Sequence, residues 1–334
     1  MRGLKTTAHL LLFCLIAAPV WSQQSNSGPH RPEGADLGLR APSPGQVVID
    51  GVPAYLWRHG CGPTAAGMVI GYWDSQGYPD LVEGDAFTQT AAVHAMIADD
   101  GGDPTCDTGE LNHYQDYACP VEWSWALTQP DKSELGGEVH PDNCLADFML
   151  TSRSAVDNNY GWTWFIHVAQ AFHGYVGLKY PGVEVKSENI RFADFSWEQY
   201  KEEIDNNRPV VLLVDSYAHS NSDHFVTGIG YDEETMEFAI YDEYDTDIHW
   251  YAWHENAPGW DYGIYGITTF SLPVEKGHQA SGDFDCSGAL DDADIVALTN
   301  YLFNNGPCSE CPRSADVSGD GVVDTDDLIA LLTR

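Results

Sequence analysis

A twelve-residue acidic pattern occurs twice near the C-terminal end of this 334-residue chain, and no other feature restricts local structure so tightly. Asp283 to Asp294 aligns position for position with Asp316 to Asp327, an internal repeat at an offset of 33 residues. A calcium loop of this length takes oxygens from positions 1, 3, 5, 9 and 12 and from the position 7 carbonyl, with glycine at position 6 for the turn. The first copy offers Asp283, Asp285, Ser287, the Ala289 carbonyl, Asp291 and Asp294. The second offers Asp316, Ser318, Asp320, the Val322 carbonyl, Asp324 and Asp327. Each copy runs into an apolar helix start, Ile295-Val296-Ala297-Leu298 and Leu328-Ile329-Ala330-Leu331. A pair of acidic surface turns would explain neither the full-length match nor the matching helix starts. The expectation is a small all-α module holding two calcium ions.

Position 12 is Asp in both loops where an EF-hand has Glu, and no helix of EF-hand type precedes the first loop. In these respects residues 283–334 resemble a type I dockerin. The resemblance implies calcium-dependent folding, docking onto a cohesin domain of a scaffold protein, and a setting in polysaccharide catabolism. It also places partner specificity at loop positions 10 and 11, here Asp292, Ala293, Thr325 and Asp326. Those four residues read equally well as ordinary helix-entry residues. Only seven residues follow Asp327, so a short second helix is expected.

With 51 acidic and 15 basic residues the net charge is -36. Such a surface repels phosphate backbones and anionic headgroups, which argues against nucleic acid as a partner and makes divalent cations the natural counter-ions. Residues 281–334 hold 11 acids and 2 bases, and ten of those acids lie inside the two loops. The tail acid therefore has a specific use, whereas the acid of residues 23–280 is spread over a solvated surface.

At the other end, Arg2 and Lys5 precede an apolar run from Leu10 to Val20, and Ser22 offers a small residue before Gln23. This pattern reads as a signal peptide over residues 1–22 and predicts an exported protein, extracellular or periplasmic, with no membrane insertion. Seven cysteines remain after it: Cys61, Cys106, Cys119, Cys144, Cys286, Cys308 and Cys311. An odd count in an oxidising compartment flags at least one thiol beside disulfides whose pairing the sequence does not fix.

Residues 23–46, rich in Ser, Gly, Pro and Gln, read as a flexible lead-in, and residues 273–282 as a linker. Between them lies a domain over 47–272. Ala65, Met68, Val69 and Tyr72 have the spacing of an amphipathic helix over 61–74. Further helices are expected over 85–98 and 163–173, and from an N-cap at Ser196 to Ile204. Val210–Val214, Phe225–Tyr231, Glu237–Tyr241 and Ile248–Trp253 then read as an antiparallel meander. Helices followed by such strands make the fold class α+β.

Cys61 stands in His59-Gly60-Cys61-Gly62-Pro63-Thr64, at the start of the first helix. Unpaired N–H groups and the positive end of the helix dipole stabilise a thiolate there, which makes a nucleophile. His224, at the mouth of the second strand, is the candidate base. Asp242 ends the next strand, where it can orient the imidazole.

Gly60-Cys61-Gly62-Pro63-Thr64 opening a helix, Asn207-Arg208-Pro209-Val210 entering a strand, and then Asp223-His224-Phe225-Val226, Gly230-Tyr231-Asp232 and Tyr241-Asp242 resemble the C39-like papain-fold cysteine peptidases. The resemblance spans about residues 47–272, with no family motif assignable over roughly 100–195. It implies a papain-like fold with Cys61 as nucleophile, His224 as general base and acid, and Asp242 as orienter. The implied reaction is thiolate attack on a peptide or isopeptide amide, a thioester, then hydrolysis.

The family's upstream Gln, an oxyanion donor, has no counterpart among Tyr55-Leu56-Trp57-Arg58-His59. The Cys61 N–H can supply one donor, and Trp57 and His59 are candidates for the second. Loss of one donor costs about 2.7–4 kcal/mol in catalysis. Two alternatives therefore stand beside the secreted peptidase: a catalytically silent papain-like binding domain displayed through the dockerin, and an acyltransferase using the same thiol.

Overall fold

A computed structural model describes residues 24–25, 31, 33, 37–40, 43–99, 142–151, 161–218, 221–273, 284, 292–304, 306, 317 and 323–332. The expected signal peptide and nearly all of the expected linker lie outside them.

In chain order the elements are β1 (Gln24–Ser25), β2 (Gln46–Val48), α1 (Cys61–Ser75), α2 (Ala91–Ile97), α3 (Leu145–Phe148), β3 (Thr163–Trp164), α4 (Val168–Lys179), β4 (Lys186–Arg191), α5 (Trp197–Asp205), β5 (Val210–Asp215), β6 (His224–Asp232), β7 (Glu237–Tyr241), β8 (His249–Ala252), β9 (Gly263–Ser271), α6 (Asp292–Asn304) and α7 (Thr325–Leu332). Helices precede a largely antiparallel sheet, so the large domain is α+β as expected.

β5, β6, β7 and β8 form the expected meander. Two strands not foreseen from the sequence extend it: β9 pairs with β5, and β4 lies outside β9, giving the order β4-β9-β5-β6-β7-β8. β2 joins the sheet on β6, where Val48 faces Gly230. A Cβ on Gly230 would lie 2.5 Å from the Val47 carbonyl oxygen, so only glycine permits this approach.

α1 departs from its expected amphipathic character: every residue from Cys61 to Asp74 is buried. Glycines let neighbours approach closely around it: Gly62 lies against Thr163, Gly67 against Ile97 and Gly71 against Tyr55. One side packs on β5 and β6 and the other on α2, α3 and α4. A helix enclosed this way is apolar or small all round.

β5 is buried along its whole length, with Val210 to Val214 fully inaccessible. Burial of each such aliphatic side chain is worth about 1.5–3 kcal/mol before entropy is counted. Phe172 of α4 stacks on Phe270 of β9 at 4.3 Å, and Trp73 of α1 meets the same ring edge-on at 5.8 Å. These contacts fix the helices against the unforeseen strand.

The expected helix over 85–98 is confined to α2, capped by the Thr90 side chain. The one over 163–173 starts later, because Thr163–Trp164 is extended and pairs with β1. α5 starts as expected, with Ser196 and Gln199 forming a reciprocal capping box.

The lead-in is tied to the domain at its described residues. Gln24–Ser25 pairs with β3, the Gly38 carbonyl accepts from Trp250 N–H, and Arg40 bonds Asp232 at 2.9 Å. These partners lie far along the chain, so composition alone did not disclose them.

α6 and α7 pack on each other around Phe284, Leu298, Val317 and Leu331, a small core separate from the main one. No helix among the described residues is long and apolar enough to cross a membrane.

Candidate active site

Cys61 opens α1, and no acidic residue occupies the first turn of that helix. The preceding loop is held down locally: the Arg58 N–H donates to Thr64 Oγ1, and that hydroxyl lies 2.8 Å from the Gly60 carbonyl. A Cβ on Gly60 would lie 2.8 Å from the Gly161 carbonyl, so the close packing there requires glycine. Thr163 of β3 sits against Gly62, which brings the β1–β3 pair beside the Cys61 turn.

Thr227 of β6 donates to the Ala65 carbonyl at 3.0 Å and ties the first turn of α1 to the strand that His224 opens. The loop after β7 completes the connection. The Asp242 carbonyl lies 2.9 Å from His224 Nε2, and the Glu243 carbonyl accepts from the N–H of Trp57, on the loop that leads into Cys61. The Asp242–Glu243 loop thus touches both His224 and the segment before Cys61.

A carbonyl only accepts, so Nε2 carries the proton and the neutral imidazole keeps its lone pair on Nδ1. Burial lowers the His224 pKa to about 4, opposed by the Asp242 carbonyl bond and reinforced by Arg31. The Tyr244 ring stacks on the imidazole at 4.8 Å with 18° between planes. The imidazole is therefore neutral and held by both the Asp242 carbonyl and the Tyr244 ring.

The Asp242 carboxylate turns elsewhere. Its Oδ2 lies 2.5 Å from Arg31 Nη1 and accepts from Tyr262 Oη at 3.3 Å, and its Oδ1 accepts from Tyr244 N–H at 3.2 Å. Burial raises its pKa, with His249 and Arg31 opposing. Asp242 presents its main chain to His224, whereas the sequence suggested its side chain.

Three residues of this neighbourhood escaped sequence reasoning. Glu243 is buried, at φ 71°. Burial raises it well above the usual carboxylate range, and Cys61 and Asp242 raise it further. Asp223 accepts from the backbone N–H and hydroxyl of Ser216, and burial raises it to about 7. Arg31, the third, comes from the lead-in. Positive φ at Glu243 is not written in its residue type, and Arg31 is 211 positions from Asp242. Neither leaves a local pattern.

Trp57 and His59, the candidates for a second oxyanion donor, remain on the loop before Cys61, and the Trp57 N–H donates to the Glu243 carbonyl. Cys61 and Cys144 are buried thiols. The other five cysteines expected in the exported chain lie outside the described residues.

Of the expected calcium ligands, Asp294, Asp324 and Asp327 are described. Asp294 and Asp327, the position 12 residues, are buried in the first turns of α6 and α7, and Asp327 Oδ2 accepts from the Asp324 N–H at 2.7 Å. Asp283, Asp285, Ser287, Ala289, Asp291, Asp316, Ser318, Asp320 and Val322 lie outside the described residues.

The family described as Peptidase_C39 like matches residues 49–262, and the chain belongs to that family. Its function is accordingly cysteine peptidase-like. Among solved structures, the chain is similar to xylellain, a cysteine protease from Xylella fastidiosa, at 12% identity and a TM-score of 0.32, over 75% of this chain and 98% of that one. No curated protein matches the chain.

Proposed function

We propose that this is an exported cysteine peptidase that hydrolyses peptide or isopeptide amides through Cys61, His224 and Asp242, anchored by a calcium-dependent dockerin. The observation that carries it is the convergence of two elements on one loop. His224 at the start of β6 bonds Asp242, and the loop that leads into Cys61 at the N-terminus of α1 bonds Glu243 through the Trp57 N–H. The helix terminus favours thiolate, Nδ1 of His224 offers the lone pair, and the Asp242 carbonyl fixes the ring. Attack on the amide carbonyl gives a tetrahedral oxyanion, which the Cys61 N–H can receive. The imidazolium returns its proton to the leaving amine, and water then hydrolyses the thioester with His224 again as base.

The buried position 12 carboxylates of α6 and α7 support two calcium loops. The donor set of carboxylate, hydroxyl and carbonyl oxygens suits a hard cation. Docking of this tail onto a cohesin partner would set where the peptidase acts.

One observation favours the silent-domain alternative: Cys61 and His224 are both 0% exposed, so substrate reaches the sulfur only if a covering segment moves. The test joins hydrolysis to thiol reactivity. Wild-type protein should cleave an amide substrate and Cys61→Ala should not, and iodoacetamide should label Cys61 with a midpoint well below pH 8.5, the ordinary thiol value. Absence of hydrolysis together with an ordinary midpoint would leave the binding domain.

A further inference from the structure

Arg31 sits where the site's negative charge is concentrated. Its Nη1 is 2.5 Å from Asp242 Oδ2, and its Nη2 is 2.7 Å from Asp245 Oδ2 and 3.2 Å from Asp242 Oδ1. The same Nη2 lies 3.3 Å from His249 Nε2, and the guanidinium carbon lies 5.3 Å from the Tyr244 ring centre. Asp242, Asp245 and His249 bring their ligand-type atoms within 4.8 Å of one another, a grouping with the spacing of a cation site. The guanidinium supplies the positive charge at that place.

Both residues that hold His224 are therefore held by Arg31. Asp242 gives the imidazole its carbonyl and gives Arg31 its carboxylate, so the bidentate pair fixes the peptide that orients the ring. Tyr244 stacks on the imidazole and also has the guanidinium over its ring, 5.3 Å from the centre. The Asp242 side chain is 0% exposed and that of Arg31 only 14%, so solvent cannot replace this pair without rearrangement.

We infer that Arg31, carried in by the N-terminal segment, is a positioning residue of the active site that holds Asp242 and Tyr244 in the arrangement His224 requires, a role that rests on the cysteine-peptidase reading above. An expected leader removed after residue 22 would leave Arg31 in the exported chain. The segment ahead of the domain is then part of its catalytic apparatus.

The electrostatic consequence has a definite sign. Arg31 lowers the pKa of both His224 and Asp242, so removing its charge raises both. Among the described residues the groups coupled to Asp242 are Arg31, His249, Asp245, Glu243 and the Tyr262 hydroxyl, with the Tyr251 hydroxyl acting on Arg31 and Tyr262, and Arg31 is the permanent cation among them.

The experiment uses the full exported chain as wild type, Arg31→Gln, Arg31→Ala and Arg31→Lys. Expected are a loss of about tenfold or more in kcat for Gln and Ala with KM little changed, an acid limb of kcat/KM displaced to higher pH, and partial recovery in Lys. Added guanidinium should restore Arg31→Ala, which a merely misfolded variant would not show. An unchanged pH profile, a gain of activity in Arg31→Gln, or a loss that neither Lys nor guanidinium relieves would overturn the role. The pH midpoint of Cys61 alkylation separates the two claims. If no variant, wild type included, hydrolyses a substrate, the peptidase reading fails, while an upward midpoint shift in Arg31→Gln still establishes that Arg31 acts on the site.

Discussion

His224 is held by the backbone carbonyl of Asp242, 2.9 Å from Nε2, and not by the Asp242 carboxylate. The carboxylate instead faces Arg31, Tyr262 and the Tyr244 N–H. A carbonyl orients the ring and selects the tautomer as a carboxylate does, but brings no full negative charge to stabilise an imidazolium. Four consequences can be measured.

Asp242→Asn should leave the carbonyl bond to His224 in place while removing one of the two carboxylate partners of a largely buried guanidinium, with Asp245 remaining. Stability should fall by about 1–3 kcal/mol, since a buried charge loses a hydrogen-bonded counter-charge. Urea denaturation measures the fall. A kcat that collapses with stability unchanged would mean that the carboxylate, after all, turns to the imidazole during turnover.

His224 has a depressed pKa, about 4 in the fold against an unfolded value of 6.5. The unfolded chain therefore takes up the proton first as pH falls. The cost is absent above pH 6.5 and grows as pH drops towards 4, reaching about 3 kcal/mol at 1.4 kcal/mol per unit. Asp223, raised to about 7, acts in the opposite sense and favours folding as pH falls through the same window. Denaturation of His224→Gln at pH 6.5 and 4.5 should show less acid sensitivity than the wild type, whose difference contains both effects.

Glu243 and the Cys61 thiolate repel, and linkage makes the effect mutual. In Glu243→Gln the only negative charge of the pair resides on sulfur, so the iodoacetamide midpoint of Cys61 should move down and labelling near neutral pH should quicken. Equal midpoints in the two proteins would show that the buried carboxyl does not reach the thiol.

Calcium binding is tested on the full chain by calorimetric titration after chelation. Two sites are expected in the wild type and one each in Asp294→Ala and Asp327→Ala, because each removes the position 12 ligand of its own loop. Chelator should also lower the unfolding temperature of the tail. Unchanged heats in both variants would remove the calcium assignment.

What the sequence determined by itself is what neighbouring residues decide. Ser196 and Gln199 cap α5 across three positions, four strand runs give the meander, and Cys61 after Gly60 and before Pro63 gives a thiol at a helix start. The duplicated acidic pattern belongs to the same class, since its repeat is legible from spacing alone. Tertiary structure decided the rest. β9 joins the sheet only because β5 offers an edge some fifty residues earlier in the chain. The apparent stripe on α1 became a fully buried helix because strands and helices cover it on all sides. The choice between the carbonyl and the carboxylate of Asp242 fell to Arg31, 211 positions away. Local hydrogen-bond and periodicity signals extend over a few residues, whereas a buried charge takes whichever counter-charge the fold brings to it, and no spacing in the chain records which one that will be.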